Sequence, residues 1–226
     1  MSFSPTLWQK FVSYFSEISV EKTGSELNPY LEVVLVGGKL MLNSLNGNYS
    51  FGGLHTAFQK TFKKLHIRQR NIQKVLILGF GARSVASILT NEYGLDCKIT
   101  GIERDEKVIA LAKKYFSVAE NSNLHIIIAE VAEYIDTLHE NYDLIIVDVY
   151  EDIIVPACCE TIQFLQNLNE NLAPNGMLVF NKFVFDGDSL ASAFQLEKKF
   201  INIFTNTFTI KLRGIYSNWM LVATKD

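Results

Sequence analysis

Four short apolar runs in this chain end on residues whose types can do chemistry. Val75–Leu78 ends in Gly79-Phe80-Gly81, and Lys98–Ile102 in Glu103-Arg104-Asp105. Leu124–Ala129 ends in Glu130-Val131, and Tyr142–Val147 in Asp148. Gly79 and Gly81 allow a tight turn and a close approach of backbone to a ligand. A helix start behind them favours a hydrogen-bond acceptor or partial negative charge. Glu103 lies 22 residues after Gly81 (103 minus 81). That spacing puts a carboxylate where a ribose diol would lie, and one carboxylate can accept from both hydroxyls. Glu130 can accept from an adenine amino group, and Val131 can offer a backbone contact. A carboxylate such as Asp148 at the end of an apolar strand is costly unless it is paired, hydrated or used. With Glu151 and Asp152 it places three acids in five residues. Such acids repel one another and attract cations; a sulfonium cofactor and an ammonium substrate are both cationic.

Plainer readings stand beside these. Gly79–Gly81 can be a strand–helix turn without a ligand, Glu130 an exposed strand-end acid, and 148–152 a solvated loop. A nicotinamide dinucleotide site shares the glycine turn and the acid, but Ala82-Arg83-Ser84 supplies no third glycine. Arg83 either pairs with a ligand carboxylate, which favours methyl transfer from a carboxylate-bearing donor, or points to solvent. His55, His66, His125 and His139 show no metal-ligand spacing, and no metal is expected.

The elements that must position these residues follow from the apolar pattern. From residue 72 the chain alternates strand and helix, with helices over 83–92, after an Asp105 N-cap, after Glu130, over 159–171 and over 187–203. A fifth strand, Met177–Phe180, follows the turn Pro174-Asn175-Gly176. Two last strands, near 206–212 and 218–224, are joined by a short connection around Gly214 to Ser217 and must pair antiparallel, because a parallel crossover needs a dozen or more residues. Apolar runs without polar alternation suit strands buried on both faces. The fold class is therefore α/β, a doubly wound, mostly parallel seven-stranded sheet closed by an antiparallel final strand. In such a sheet ligands sit at the carboxyl ends of the strands, where the strand order reverses. A small leading region precedes it, so the division is 1–66 and 67–226. It holds a helix over Pro5–Ile18 and a β-hairpin about Gly37-Gly38. A turn-rich stretch (Asn46, Gly47, Asn48, Gly52, Gly53) and a helix over His55–Leu65 follow. The first helix reads as a packing or dimer surface, so a homodimer is one arrangement the sequence allows.

Composition bounds the rest. The chain has 226 residues, 48% hydrophobic and 20% charged, which excludes a disordered chain. A net charge of −3 gives no electrostatic reason to expect nucleic acid or an anionic membrane as partner. The cluster Lys60, Lys63, Lys64, Arg68 and Arg70 reads as solvated surface. No run is long enough to span a membrane, and the N-terminus lacks the pattern of a signal peptide. Three cysteines (Cys97, Cys158, Cys159) without a CxxC fit buried thiols in a reducing, cytoplasmic setting.

With these residues in view, the chain resembles the spermidine synthase-like branch of the class I S-adenosylmethionine-dependent methyltransferase fold, over roughly 30–225. The segments that carry the likeness are KVLILGFGARS, ITGIERDEKVIALAKKYF, YDLIIVDVYEDIIVPACCETIQFL and LAPNGMLVFNKF. The resemblance implies that Gly79, Phe80 and Gly81 hold the nucleoside and sulfonium part of the cofactor, with Glu103 and Arg104 at the ribose. It implies that Glu130 and Val131 face adenine. Asp148 would take or orient the proton of an attacking amine, and Glu151 would help bind a cationic acceptor beside Tyr150 and Asp152. Pro156 matches the proline of the gate segment, and His55 is what remains of an N-terminal acceptor motif in Leu54-His55-Thr56. The family's aspartate-bearing glycine run is here Ala82, Arg83 and Ser84, and its Asp-Ser-Ser-Asp is Asp148-Val149-Tyr150-Glu151. The implied activity is transfer of a methyl or aminopropyl group from S-adenosylmethionine or its decarboxylated form to a small, cationic amine. The alternatives are a catalytically inactive protein on the same fold, acting by nucleoside binding or a dimer surface, and, with less support, a nicotinamide-dependent reductase.

Overall fold

The computed structural model describes residues 3–45, 53–118, 122–212 and 217–226. The expected turns at Asn46–Gly52 and the connection at 213–216 lie outside the described residues.

The leading region departs from expectation in one respect. Helix α1 (Leu7–Val12) is shorter than Pro5–Ile18. It opens on a capping box in which Thr6 Oγ1 accepts from the Gln9 N–H. Its apolar residues Leu7, Trp8 and Phe11 are exposed and none of its residues is buried, so little apolar burial holds it. The chain then enters an unanticipated strand, β1 (Ile18–Thr23), ahead of β2 (Leu31–Val36) and β3 (Lys39–Ser44). The hairpin at Gly37-Gly38 is present, with Val36 opposite Lys39, and β1-β2-β3 form one antiparallel sheet. Helix α2 (Gly53–Lys64) follows.

The second sheet contains β4 (Lys74–Leu78), β5 (Lys98–Glu103), β6 (Leu124–Ile128), β7 (Tyr142–Val147), β8 (Leu172–Val184), β9 (Asn206–Leu212) and β10 (Ser217–Thr224). Their order is β6-β5-β4-β7-β8-β10-β9. The five strands from β6 to β8 run parallel. β10 is antiparallel to both its neighbours. The order reverses between β4 and β7, the place where a doubly wound sheet opens a crevice. β8 is longer than Met177–Phe180. It takes in the expected turn at Pro174-Asn175-Gly176, where a register irregularity against β7 between Tyr142 and Leu144 absorbs the kink.

Alternation along β4 shows why the apolar runs carry no polar residues. Val75 and Ile77 pack into one core, Leu76 and Leu78 into the other. The first face is covered by α4 (Glu106–Tyr115) and by a segment that starts as α3 (Ser84–Ser87) and widens into a π-helical turn (Ile88–Glu92). The second is covered by α5 (Val131–Thr137), α6 (Ile162–Glu170) and α7 (Gly187–Ile203). The expected helix 159–171 is a 3₁₀ turn, Ala157–Glu160, followed by α6. Leu31, Val33, Leu42, Phe58 and Phe62 belong to the same core as Val75 and Ile77, so the leading region and the large sheet share one apolar interior. No described helix is long and apolar enough to cross a membrane.

Candidate functional site

A cavity lies across the carboxyl ends of β4, β5, β6 and β7. Its wall includes Gly79, Phe80, Gly81, Glu103, Arg104, Glu130, Val131, Asp148, Tyr150, Glu151 and Asp152. The structure thus brings eleven of the twelve sequence-selected residues together, and His55 is the one left off the wall. The strand ends are pinned to one another. The Gly79 and Phe80 N–H groups donate to the Ile102 carbonyl (3.0 and 2.9 Å), and the Asp148 N–H donates to the Leu78 carbonyl (2.8 Å). Gly79 has φ +82°, and a Cβ there would strike the Asp148 carbonyl group, so only glycine fits. Phe80 is buried with its ring over Gly101 of β5, where any side chain would collide with it.

Glu103 is buried on this wall. Its Oε2 accepts from the Gly81 N–H (2.9 Å) and its Oε1 from the Asp105 N–H (3.1 Å). Burial raises its pKa against these two backbone donors. A carboxylate has about four acceptor positions, so both oxygens keep capacity for hydroxyl donors. Asp105 caps α4, its Oδ1 accepting from the Lys107 N–H at 2.8 Å.

Asp148 is half-buried, and its Oδ1 accepts from Asn181 Nδ2 at 2.9 Å. Burial pushes its pKa up to about 7, against the lowering effect of Asn181. Asn181 is itself buried and accepts from Asn218 Nδ2 at 3.0 Å. The Tyr150 hydroxyl donates to the Asn181 carbonyl (2.8 Å), and its pKa is raised by burial and then by Asp148. Glu151 does not stand as an uncompensated acid: Arg104 Nη1 is 2.7 Å from Glu151 Oε1 and 3.7 Å from Glu130 Oε1. Arg104 therefore ties the loop after β7 to the end of β6.

Two side chains turn elsewhere. His55 is buried behind the wall, with Nδ1 2.8 Å from Ser84 Oγ and Nε2 2.7 Å from Glu92 Oε1. Leu54 and Ser84 face the cavity in its place. Arg83 follows neither expectation. It is buried, and its Nη1 donates to the Phe116 and Ser117 carbonyls (3.0 and 2.9 Å), just past the end of α4. Cys97 and Cys159 are buried as expected, while Cys158 is exposed and lines the cavity.

Comparison with known proteins follows the same lines. Residues 59–225 match the family model described as the Spermine/spermidine synthase domain. The chain belongs to the spermine/spermidine synthase family. Among curated relatives of this family, the probable polyamine aminopropyl transferase of Bifidobacterium longum is 28% identical over 199 residues, 80% of this chain and 43% of that protein. The polyamine aminopropyltransferase of Vibrio vulnificus is 28% identical over 114 residues, 49% of this chain and 38% of that protein. The chain thus spans about two fifths of the length of these relatives. Among solved structures, the spermidine synthase of Thermotoga maritima has a TM-score of 0.71 at 17% identity, covering 92% of this chain and 73% of that one. Human methyltransferase-like protein 13 in complex with SAH has a TM-score of 0.65 at 18% identity, covering 78% of this chain and 83% of that one. These likenesses show the class I methyltransferase-like fold.

Several wall and support residues of this spermine/spermidine synthase-family chain were not singled out from sequence. Asn181 had a visible signal, a lone amide inside the apolar run MLVFNKFVF. Gly101 had one as well, a glycine in mid-strand, which marks a close approach. Leu54, Ser84, Cys158 and Cys159 had none, because their places depend on how α2, α3 and the 3₁₀ turn pack. Among the described residues no group of three or more His, Cys, Asp or Glu side chains could hold a metal ion.

Proposed function

We propose that this protein transfers an alkyl group from an adenosyl sulfonium donor to a small amine. The observation that carries this is the convergence of Gly79–Gly81, Glu103, Glu130 and Asp148 on one cavity at the reversal of strand order. The wall fits such a donor: the glycine turn leaves backbone at its surface, and the buried Glu103 keeps acceptor capacity on both oxygens. Glu103 would hold the ribose hydroxyls. Glu130 and Val131 would hold the adenine, and Gly79–Gly81 would let the sulfur end lie against the backbone.

When bound, the donor supplies an electrophilic carbon on positively charged sulfur. The protein's own contribution is alignment, which removes several kcal/mol of barrier, and proton management. Asp148, raised to about 7, is ionised above that pH. It would then accept a proton from the attacking amine or hold it in line. Tyr150, Glu151 and Asp152 would bound the acceptor side.

Aminopropyl transfer is the form favoured by membership of the family and by its polyamine aminopropyltransferase relatives. The argument for methyl transfer from Arg83 lapses, because that guanidinium is engaged past α4. The test is a product assay in which S-adenosylmethionine and its decarboxylated form are each offered with a panel of amines. An alkylated amine is expected from one donor. No product from any pair would contradict the reading.

A further inference from the structure

Ser84, His55 and Glu92 form a hydrogen-bonded line that runs from the cavity wall through the buried His55 to Glu92 at the protein surface. Ser84 faces the cavity, His55 stands behind it on α2, and Glu92 lies at the end of the π-helical turn. The second Glu92 oxygen accepts from Gln59 Nε2 at 2.7 Å. Burial works to raise the Glu92 pKa, but the bonds from Gln59 and His55 outweigh it and hold the group below the usual carboxylate range. Glu92 is thus a carboxylate and can only accept. The proton between it and His55 therefore sits on Nε2.

That leaves two states for Nδ1. Bare, it accepts the Ser84 hydroxyl proton, and Ser84 shows only lone pairs to the cavity. Protonated, it donates to Ser84 Oγ, and the Ser84 hydroxyl is released to donate into the cavity. Strand order says what part of a ligand would meet Ser84. The row β6-β5-β4-β7 assigns adenine to Glu130, ribose to Glu103 and the acceptor to Asp148 in the proposed reading. The tail on sulfur is then left beside the glycine turn, where Leu54 and Ser84 close the wall. Arg83, the neighbouring cation, is turned away.

We propose that Ser84 contacts the tail of the sulfonium donor and that His55, a positioning residue, sets by its protonation whether that contact accepts or donates. The proposal rests on the function proposed above. With His55 neutral the wall accepts from an ammonium-ended tail. With His55 protonated it donates to a carboxylate. Glu92 contacts His55 directly, with Tyr93 next in sequence. Arg68, from the 3₁₀ turn Ile67–Gln69, ends on the Glu92 and Tyr93 carbonyls. Lys39 of β3 acts on Glu92 through its charge, and α3 carries no titratable side chain. Glu103 and Asp148 share the cavity and are kept in Ser84→Ala and His55→Gln, so the comparison of the unmodified protein with these variants separates their titration from the effect of His55.

The experiment is calorimetric titration with three compounds from about pH 5.5 to 8.5. Methylthioadenosine has no ionic tail, decarboxylated S-adenosylmethionine has an ammonium, and S-adenosylmethionine adds a carboxylate. In the unmodified protein the affinity of S-adenosylmethionine relative to its decarboxylated form should rise roughly fivefold toward low pH, the worth of one hydrogen bond. In Ser84→Ala and in His55→Gln that ratio should stay flat. A flat ratio in the unmodified protein, or an undiminished slope in Ser84→Ala, overturns the proposal while methylthioadenosine binding keeps the proposed function intact. Failure of all three compounds to bind overturns both. Nitrogen-15 spectra of the unmodified protein test the same point without a variant. The His55 Nδ1 should gain a proton when S-adenosylmethionine binds near neutral pH, and an unchanged Nδ1 overturns the proposal.

Discussion

The backbone of Gly79 runs directly against the carbonyl group of Asp148, whose carbonyl carbon lies 2.7 Å from the place a Cβ on Gly79 would occupy. The loop that would hold the nucleoside and the acid that would handle the acceptor's proton are therefore in contact through main chain. Neither can shift without moving the other.

Gly79→Ala should cost stability twice, through positive φ and through this collision. Each effect is worth about 1–3 kcal/mol. Thermal unfolding should show a lowered midpoint, and a variant as stable as the parent would mean that the two loops separate readily.

Gly101→Ala acts from the other side. The new methyl would meet the Phe80 ring, and overpacking of this kind costs about 1–3 kcal/mol. Phe80 also lines the cavity, so a displaced ring should lower affinity for an adenosine ligand along with stability. Unchanged affinity in a destabilised variant would separate Phe80 from the ligand.

Asp148 links pH to both stability and turnover. Its pKa is raised in the folded chain to about 7, above the unfolded value near 3.9. Between those limits the folded state holds a proton that the unfolded state has lost. Stability therefore falls as pH rises through this window and levels off above it. The full difference corresponds to at most about 4 kcal/mol, and water in the cavity reduces it. Asp148→Asn should accordingly be more stable than the parent above pH ~7, while losing turnover and keeping nucleoside affinity. Equal turnover would remove Asp148 from the chemistry, and denaturant midpoints followed against pH check the stability part.

Asn181 holds the Asp148 pKa down by donating to its Oδ1. Asn181→Leu should move the acid limb of the pH–rate profile upward by about one pH unit or less. A limb that stays in place would mean that Asn181 serves packing alone.

Much of this architecture is legible in the residues, and the exceptions have physical reasons. Tyr142–Val147 and Gly187–Ile203 have the expected limits because each is framed by strong local signals: an acid ends the strand, and an Asp186 cap opens the helix. β1 escaped because ISVEKT alternates weakly and sits on a short antiparallel sheet with most of its side chains part-exposed. The acids at the strand ends could be found because one rule of parallel sheets places them. His55 and Arg83 could not, since the choice of Ser84 or the carbonyls past α4 as partner is made by packing between α2, α3 and α4. The acidic run 148–152 suggested mutual repulsion, but Arg104, 47 residues before Glu151 in sequence, supplies the compensating charge.

The central claim is that one cavity binds adenosine through Glu103. Calorimetric titration of methylthioadenosine into the unmodified protein and into Glu103→Ala tests it most directly. One site per chain is expected in the first and a loss of at least tenfold in affinity in the second, the worth of a hydrogen bond to a charged group, about 1.5–3 kcal/mol. No binding to the unmodified protein, or equal binding to both, would contradict the account.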